Sequence, residues 1–188
     1  TSSAFTHAGR SAESLIGSAT GVYVGCIWLE YGDLLTMNIN TTTSTSNSSG
    51  SGGAGNAYSV TGNGLAFMSG RVSYTFGLTG PCVPTNTACS SSLVGIHLAA
   101  RGIMTGDCVD VTASGINAIL VPAGATMAMS QVRALSPDGR CKAFGAEADG
   151  YGRGEGYAVV VVESIRDEEE EQPNKMGRGY VYEWDVSQ

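Results

Sequence analysis

The sequence predicts an α/β layered fold, and three observations carry that prediction. Short apolar runs bounded by glycine, at 21–27 and 157–162, read as strands. Longer stretches with apolar residues at helical spacing, at 65–74 and after Cys89, read as helices. The two kinds alternate along the chain, which is the pattern of a sheet covered by helices. The chain has 188 residues, of which 42% are apolar. That is enough for one domain with its own core, and residues 1–188 are expected to form a single one.

The elements follow in order. Residues 1–20 are small and polar, with one short helix expected at 11–16. Residues 21–27 make a central strand. Residues 38–56 are mostly Thr, Ser, Asn and Gly, and bury too little apolar surface to be anything but a loop. Asn40 and Asn47 sit in glycosylation sequons there, which no secretory signal supports. In the helix at 65–74, Leu65, Met68, Val72 and Phe76 keep an apolar stripe, and Ala66, Ser69, Gly70 and Ser73 form a small face. Arg71 beside that stripe reads as structural.

Residues 80–104 organise the rest: an extended segment, a tight turn of small residues at Ala88–Cys89, and a helix that ends near Gly106. Pro84 argues against a central strand at 83–87. The helix is apolar enough to be expected buried on most sides. Residues 109–115 give a second strand, and 125–133 a short helix. Its Met127 and Met129 read as adaptable core filler or as the lining of a substrate channel. Residues 134–156, with six glycines, form a long ordered loop. Ion pairs of Asp138 with Arg140, or among Asp149, Arg153 and Glu155, are expected to hold it. Residues 157–162 are a third strand, covered on both faces. An acidic run at 167–171, Pro173 and an edge strand at 179–182 complete the chain.

Cys89 is the chemical focus. A cysteine at the start of a helix faces unpaired N–H groups and the positive end of the helix dipole, and both favour thiolate. Ala88 and the following serines leave room for a substrate. A buried small hydrophobe at a helix start is the bland reading of the same residue. His97 cannot be its direct base through the helix, because it lies about 12 Å further along the axis and about 80° around it. A packed or capping histidine is the expectation.

Composition narrows the function. A net charge of −7 argues against a nucleic-acid partner, and eight of the seventeen acids fall in residues 163–188. Five scattered cysteines with no CxxC pair and no His-Cys cluster argue against a metal site and fit a reducing compartment, cytoplasmic or organellar. No segment reaches the ~18 apolar residues of a membrane span, and no cofactor motif occurs.

Two stretches carry a family resemblance. Gly80-Pro81-Cys82-Val83-Pro84-Thr85-Asn86-Thr87-Ala88-Cys89-Ser90-Ser91-Ser92-Leu93 resembles the active-site segment of beta-ketoacyl synthases, the condensing domains of polyketide and fatty acid synthases. Leu135-Ser136-Pro137-Asp138-Gly139-Arg140-Cys141-Lys142-Ala143-Phe144, continuing to Ala148-Asp149-Gly150-Tyr151-Gly152-Arg153-Gly154-Glu155-Gly156, resembles a second family loop. Shorter matches are Arg71-Val72-Ser73-Tyr74, Gly115-Ile116-Asn117 and Glu30-Tyr31, the last where the family has Asp-Tyr. The chain departs from the pattern at Asn86 and at Gly145, where the family has aspartate.

The resemblance implies the N-terminal half of a thiolase-like α-β-α layered fold, covering residues 10–165. It implies that Cys89 takes an acyl group from an acyl carrier protein thioester, and that a malonyl-type extender then condenses with it after losing CO2. The family's two histidines lie in the second half of the domain, and neither His7 nor His97 matches their motifs. A complementary ketosynthase half, or another subunit, is therefore the implied partner, in a dimer or larger complex. The family's counterpart of 83–87 often pairs across a dimer interface. Three readings stay open: half of an active condensing enzyme, an acyl-loading subunit that does not condense, and a degenerate structural or acyl-binding subunit.

Overall fold

A computed structural model of the chain describes residues 1–27, 29–34 and 58–164. The expected loop at 38–56, the acidic run at 167–171 and the strand at 179–182 lie outside the described residues. In chain order the elements are α1 (Ser2–His7), α2 (Ala12–Leu15), β1 (Gly21–Gly25), α3 (Tyr58–Asn63), α4 (Ala66–Phe76), β2 (Cys82–Thr85), α5 (Ser91–Thr105), β3 (Asp110–Asn117), a π-helical turn (Pro122–Thr126), α6 (Met127–Gln131) and β4 (Gly156–Glu163). They form two compact units. The first holds residues 1–27, 64–116 and 156–164, and the second residues 29–34, 58–63 and 117–155.

The first unit is built on a four-stranded sheet in the order β2-β1-β3-β4. β1 pairs in parallel with both neighbours, Val22 opposite Cys82 and Thr112, and Gly25 opposite Thr85 and Gly115. Side chains alternate across a strand, so β1 feeds two cores. Val22 and Val24 pack with Phe5, Leu15, Leu78 and the Met68, Val72 and Phe76 stripe of α4. Tyr23 points the other way and packs with Ala99, Cys108, Val111 and Ala113. β4 divides likewise, Val159 and Val161 to the first core, and Val160 and Val162 to the second. Its beginning departs from expectation, because Tyr157 is exposed and only the later residues are covered. β2 is an edge strand, which is where a proline fits.

α1 was not foreseen. Its Ala4 and Phe5 are buried, and Phe5 meets Phe76 edge-on with ring centroids 5.2 Å apart. α2 starts as expected, with the Ser11 hydroxyl capping the Ser14 N–H at 3.2 Å.

α5 corrects the expectation of burial on most sides. Its buried residues are Ser91, Gly95, Ala99 and Gly102, which lie on one face at helical spacing. Leu93, at 68% exposure, and Met104, at 52%, face out, while Ile103 packs against the second core. Small residues on the inner face let the helix lie close to the sheet. A Cβ on Gly102 would stand 2.8 Å from the Tyr23 hydroxyl. The helix ends in a left-handed Gly106.

One buried polar anchor ties the N-terminus to the sheet. Asp110 is 2% exposed, accepts the Thr20 hydroxyl at 2.5 Å, and pairs with the Arg10 guanidinium.

Candidate active site

Cys89 sits in the turn between the end of β2 and the start of α5. It is exposed, which removes the buried-hydrophobe reading. The helix proper begins at Ser91, so Cys89 precedes the helical N-cap Ser90 rather than lying in the first turn. Ala88 immediately before it has φ +56°, the left-handed region that costs a residue with a Cβ about 1–3 kcal/mol.

A dense set of short-range hydrogen bonds holds that strained turn. The buried Ser91 hydroxyl donates to the Ala88 carbonyl at 2.6 Å and accepts the Thr87 N–H at 2.9 Å. The buried Thr85 hydroxyl donates to the Ser91 carbonyl at 3.0 Å. Asn86 Oδ1, at the position where the family pattern has aspartate, accepts the Ala88 N–H at 3.2 Å. Three side chains, through four hydrogen bonds, thus fix the turn that presents the thiol.

The start of α5 also rests on bare backbone. A Cβ on Gly25 would come within 2.5 Å of the Ser92 nitrogen, and one on Gly115 within 2.7 Å of the Ser92 Cβ. Substituting Gly25 with alanine is expected to destabilise the fold by about 1–3 kcal/mol through overpacking against backbone. The urea midpoint measures the loss, and the alkylation rate of Cys89 should change with it.

Of the five cysteines, Cys82, Cys89 and Cys141 are exposed, and Cys26 and Cys108 are buried. Burial pushes the Cys108 thiol above its ordinary pKa, with the Asp107 charge adding to the shift. His97 is exposed in the middle of α5, neither packed nor capping. His7 closes α1.

In the second unit, the loop at 134–155 is ordered by pairs other than those expected. Asp138 bonds to the Arg140 backbone N–H rather than its guanidinium, and pairs with Lys142 at 3.2 Å. Lys142 Nζ lies 2.9 Å from Asp149 Oδ1, and the Ser136 hydroxyl bridges both aspartates at 2.7 Å. Arg153 pairs instead with Glu30, a residue the sequence reading did not single out for any ion pair. Met127 is 53% exposed, so it is not core filler. Phe144 is fully exposed in a left-handed conformation, φ +63°.

These pairings set a pH response. The Ser136 hydroxyl first, then the Arg140 N–H and Lys142, hold Asp138 below its ordinary pKa. Lys142 and then Ser136 do the same for Asp149. Asp149 holds Lys142 above its ordinary value, against partial desolvation. A carboxylate with a lowered pKa stabilises fully above its ordinary range and loses that contribution as pH falls through the lowered value. The ammonium with a raised pKa contributes below its ordinary range and is lost as pH rises through the raised value. Amide exchange at Arg140, corrected for intrinsic rate, is therefore expected to keep its protection at neutral pH and lose it in acid.

The description "Beta-ketoacyl synthase, N-terminal domain" matches residues 1–168. The chain is 43% identical over 164 residues to the phenolphthiocerol synthesis polyketide synthase type I Pks15/1 of Mycobacterium bovis, covering 87% of this chain and 7% of that protein. It is 44% identical over 155 residues to the spectinabilin polyketide synthase system protein NorC of Streptomyces orinoci, covering 82% and 6%. The structure of the ketosynthase from module 6 of the Bacillus subtilis bacillaene synthase superposes with a TM-score of 0.68 at 34% identity, covering 84% of this chain and 24% of that one. An oxazolomycin ketosynthase domain from Streptomyces albus gives 0.65 at 34% identity, covering 81% and 25%. The chain thus spans under a tenth of these curated relatives and about a quarter of these solved ketosynthases. Its mixed α/β fold is that of the N-terminal ketosynthase domain in the thiolase-like superfamily, and the chain belongs to the beta-ketoacyl synthase family.

Proposed function

We propose that Cys89 is the acyl-carrying nucleophile of a condensing site to which this chain contributes one half. The carrying observation is the exposed thiol on a strained turn whose shape four hydrogen bonds from three side chains maintain. Strain held in place by its surroundings is common at reacting groups. The thiolate attacks the carbonyl carbon of an acyl thioester, the carrier's thiol leaves with a proton, and the acyl group stays on Cys89. A malonyl-type thioester then loses CO2. Its carbanion attacks the acyl carbonyl, forms the new C–C bond and expels the Cys89 thiolate. Backbone N–H groups at the turn, that of Cys89 among them, are the proposed oxyanion donors.

Proton donors for the extender come, on this reading, from histidines in the complementary half of the ketosynthase. The outward row of α5 supports such a partner. Leu93, Ile96 and Met104 lie at one face of the helix with 68%, 37% and 52% exposure. An apolar stripe of that kind marks a surface that another protein element covers. Acyl carrier protein is the proposed donor, as the family chemistry requires.

The test uses the intact protein that contains this chain. An acyl-N-acetylcysteamine thioester is added, and peptides are mapped by mass spectrometry. The acyl mass is expected on the peptide bearing Cys89 and absent from that bearing Cys108. Loading without condensation when malonyl thioester is added would favour an acyl-holding subunit. No loading at Cys89 would overturn the reading.

A further inference from the structure

The two serines at the head of α5 turn their hydroxyls away from the helix they begin. Ser90, the helix N-cap, makes no side-chain capping bond, and its hydroxyl donates to the Thr87 carbonyl at 2.8 Å. Ser91, 5% exposed, accepts the Thr87 N–H at 2.9 Å and gives its own hydroxyl proton to the Ala88 carbonyl at 2.6 Å. The Ser91 N–H reaches the same carbonyl at 3.1 Å. Ser91 therefore brackets Ala88, holding the N–H of the residue before it and, twice, its own carbonyl. Ser91 is held in turn by Thr85, whose buried hydroxyl donates to the Ser91 carbonyl at 3.0 Å. The Thr85 backbone is paired in the sheet opposite Gly25. The whole line, from the sheet through Thr85, Ser91 and Ala88 to Cys89, lies within the first unit.

Helix stability is a weak account of these bonds. A serine at a helix N-cap ordinarily serves the helix by accepting one of its unpaired N–H groups. α5 forgoes that cap. What the hydroxyls hold instead is a conformation that alanine disfavours. At φ +56° the Ala88 Cβ is crowded by the following carbonyl oxygen, whereas glycine adopts this region freely. Hydrogen bonds directed to a strained turn rather than to a helix cap fix geometry in preference to local stability. The turn they fix carries the exposed Cys89 thiol.

Resting on the reading of Cys89 above, we propose that Ser91 is a positioning residue for acyl transfer, set in place by Thr85 and acting through the left-handed conformation of Ala88. Its hydroxyl keeps the turn in the one shape that presents the thiol. Both side chains are buried, so they act through the turn and not on the acyl group.

Three variants of the intact protein test this: Ser91→Ala, the milder Thr85→Val, and the double variant Ser91→Ala/Ala88→Gly. Ser91→Ala removes the hydroxyl and keeps the Ser91 backbone bond to the Ala88 carbonyl. Thr85→Val keeps the shape of the buried side chain and loses its donor. Acylation of Cys89 by an acyl-N-acetylcysteamine thioester is followed against thioester concentration, below the melting temperature of each variant. Ser91→Ala is expected to lower the limiting rate constant about 10-fold or more with little change in half-saturating concentration, since misplacement of a reacting group acts on the chemical step. Thr85→Val should show the same split with a smaller fall. Adding Ala88→Gly to Ser91→Ala should recover most of the lost rate, because glycine takes the left-handed turn without being held. Ser91→Ala and Thr85→Val proteins that melt earlier but acylate at the parent rate while folded would overturn the proposal and leave the Cys89 reading standing. So would a loss of rate that Ala88→Gly does not relieve, since Ser91 would then act by another route. A parent protein that takes no acyl group at Cys89 would overturn both.

Discussion

Replacing Cys89 by serine is expected to lower condensing activity by roughly three orders of magnitude or more, the scale seen when an enzyme loses its nucleophile. The hydroxyl is a far weaker nucleophile than the thiolate at neutral pH, and the turn supplies no adjacent base to activate it. His97 lies eight residues on in α5 and is exposed. The fold should be untouched, since Cys89 is exposed and contributes nothing to either core. The pairing of observations is therefore sharp: an unchanged melting temperature with abolished acyl adduct. Retained condensation in the Cys89→Ser protein would move the nucleophile elsewhere. Alkylation gives an independent check, because iodoacetamide should reach Cys89, Cys82 and Cys141 and spare Cys108, which is buried with its thiol pKa raised.

Asp110→Ala is expected to have the largest effect on stability, about 3–5 kcal/mol. Asp110 is 2% exposed and accepts the Thr20 hydroxyl while pairing with Arg10. Its removal leaves the Arg10 charge partly buried and unpaired, and leaves the fully buried Thr20 without its acceptor. The Thr20–Asp110 bond joins the approach to β1 to the first residue of β3, so both inner strands feel the loss. Arg10→Ala should cost a comparable amount, because it strands the Asp110 carboxylate, 3% exposed at its side chain, without its cation. Chemical denaturation of the two single variants and the double variant separates the pair from its surroundings.

Much of the first unit was legible in the sequence. Glycine-bounded apolar runs placed β1 and β4, and helical spacing placed the Met68, Val72 and Phe76 stripe. The Cys89 turn stood out because small residues precede an apolar helix, and the motif resemblance drew attention to Cys89 itself. Other features escaped for physical reasons. α1 was missed because Phe5 stands alone among small polar residues, and its burial depends on Phe76, 71 residues away in sequence. The orientation of α5 was missed because its two faces differ in size, not polarity. Leu93 and Ala99 both count as apolar, and only the close approach of the sheet selects the small ones for the inside. The ion pairs of the 134–155 loop were expected between sequence neighbours. Arg153 instead found Glu30, and no pattern in one sequence links positions so far apart.

The placement of β1 has a consequence for synthesis of the chain. β1 lies between β2 and β3, and its parallel partners are residues 82–85 and 111–115. At about 5–20 residues per second, the ribosome needs roughly 3–12 s after making β1 before β2 exists, and longer before β3 does. During that interval Val22, Tyr23 and Val24 are an apolar strand with two unpaired edges. Nothing local can shield it, because parallel pairing needs the intervening crossover first. The nascent chain is thus expected to be most prone to aggregation, and most in need of chaperone cover, between the emergence of β1 and that of β3.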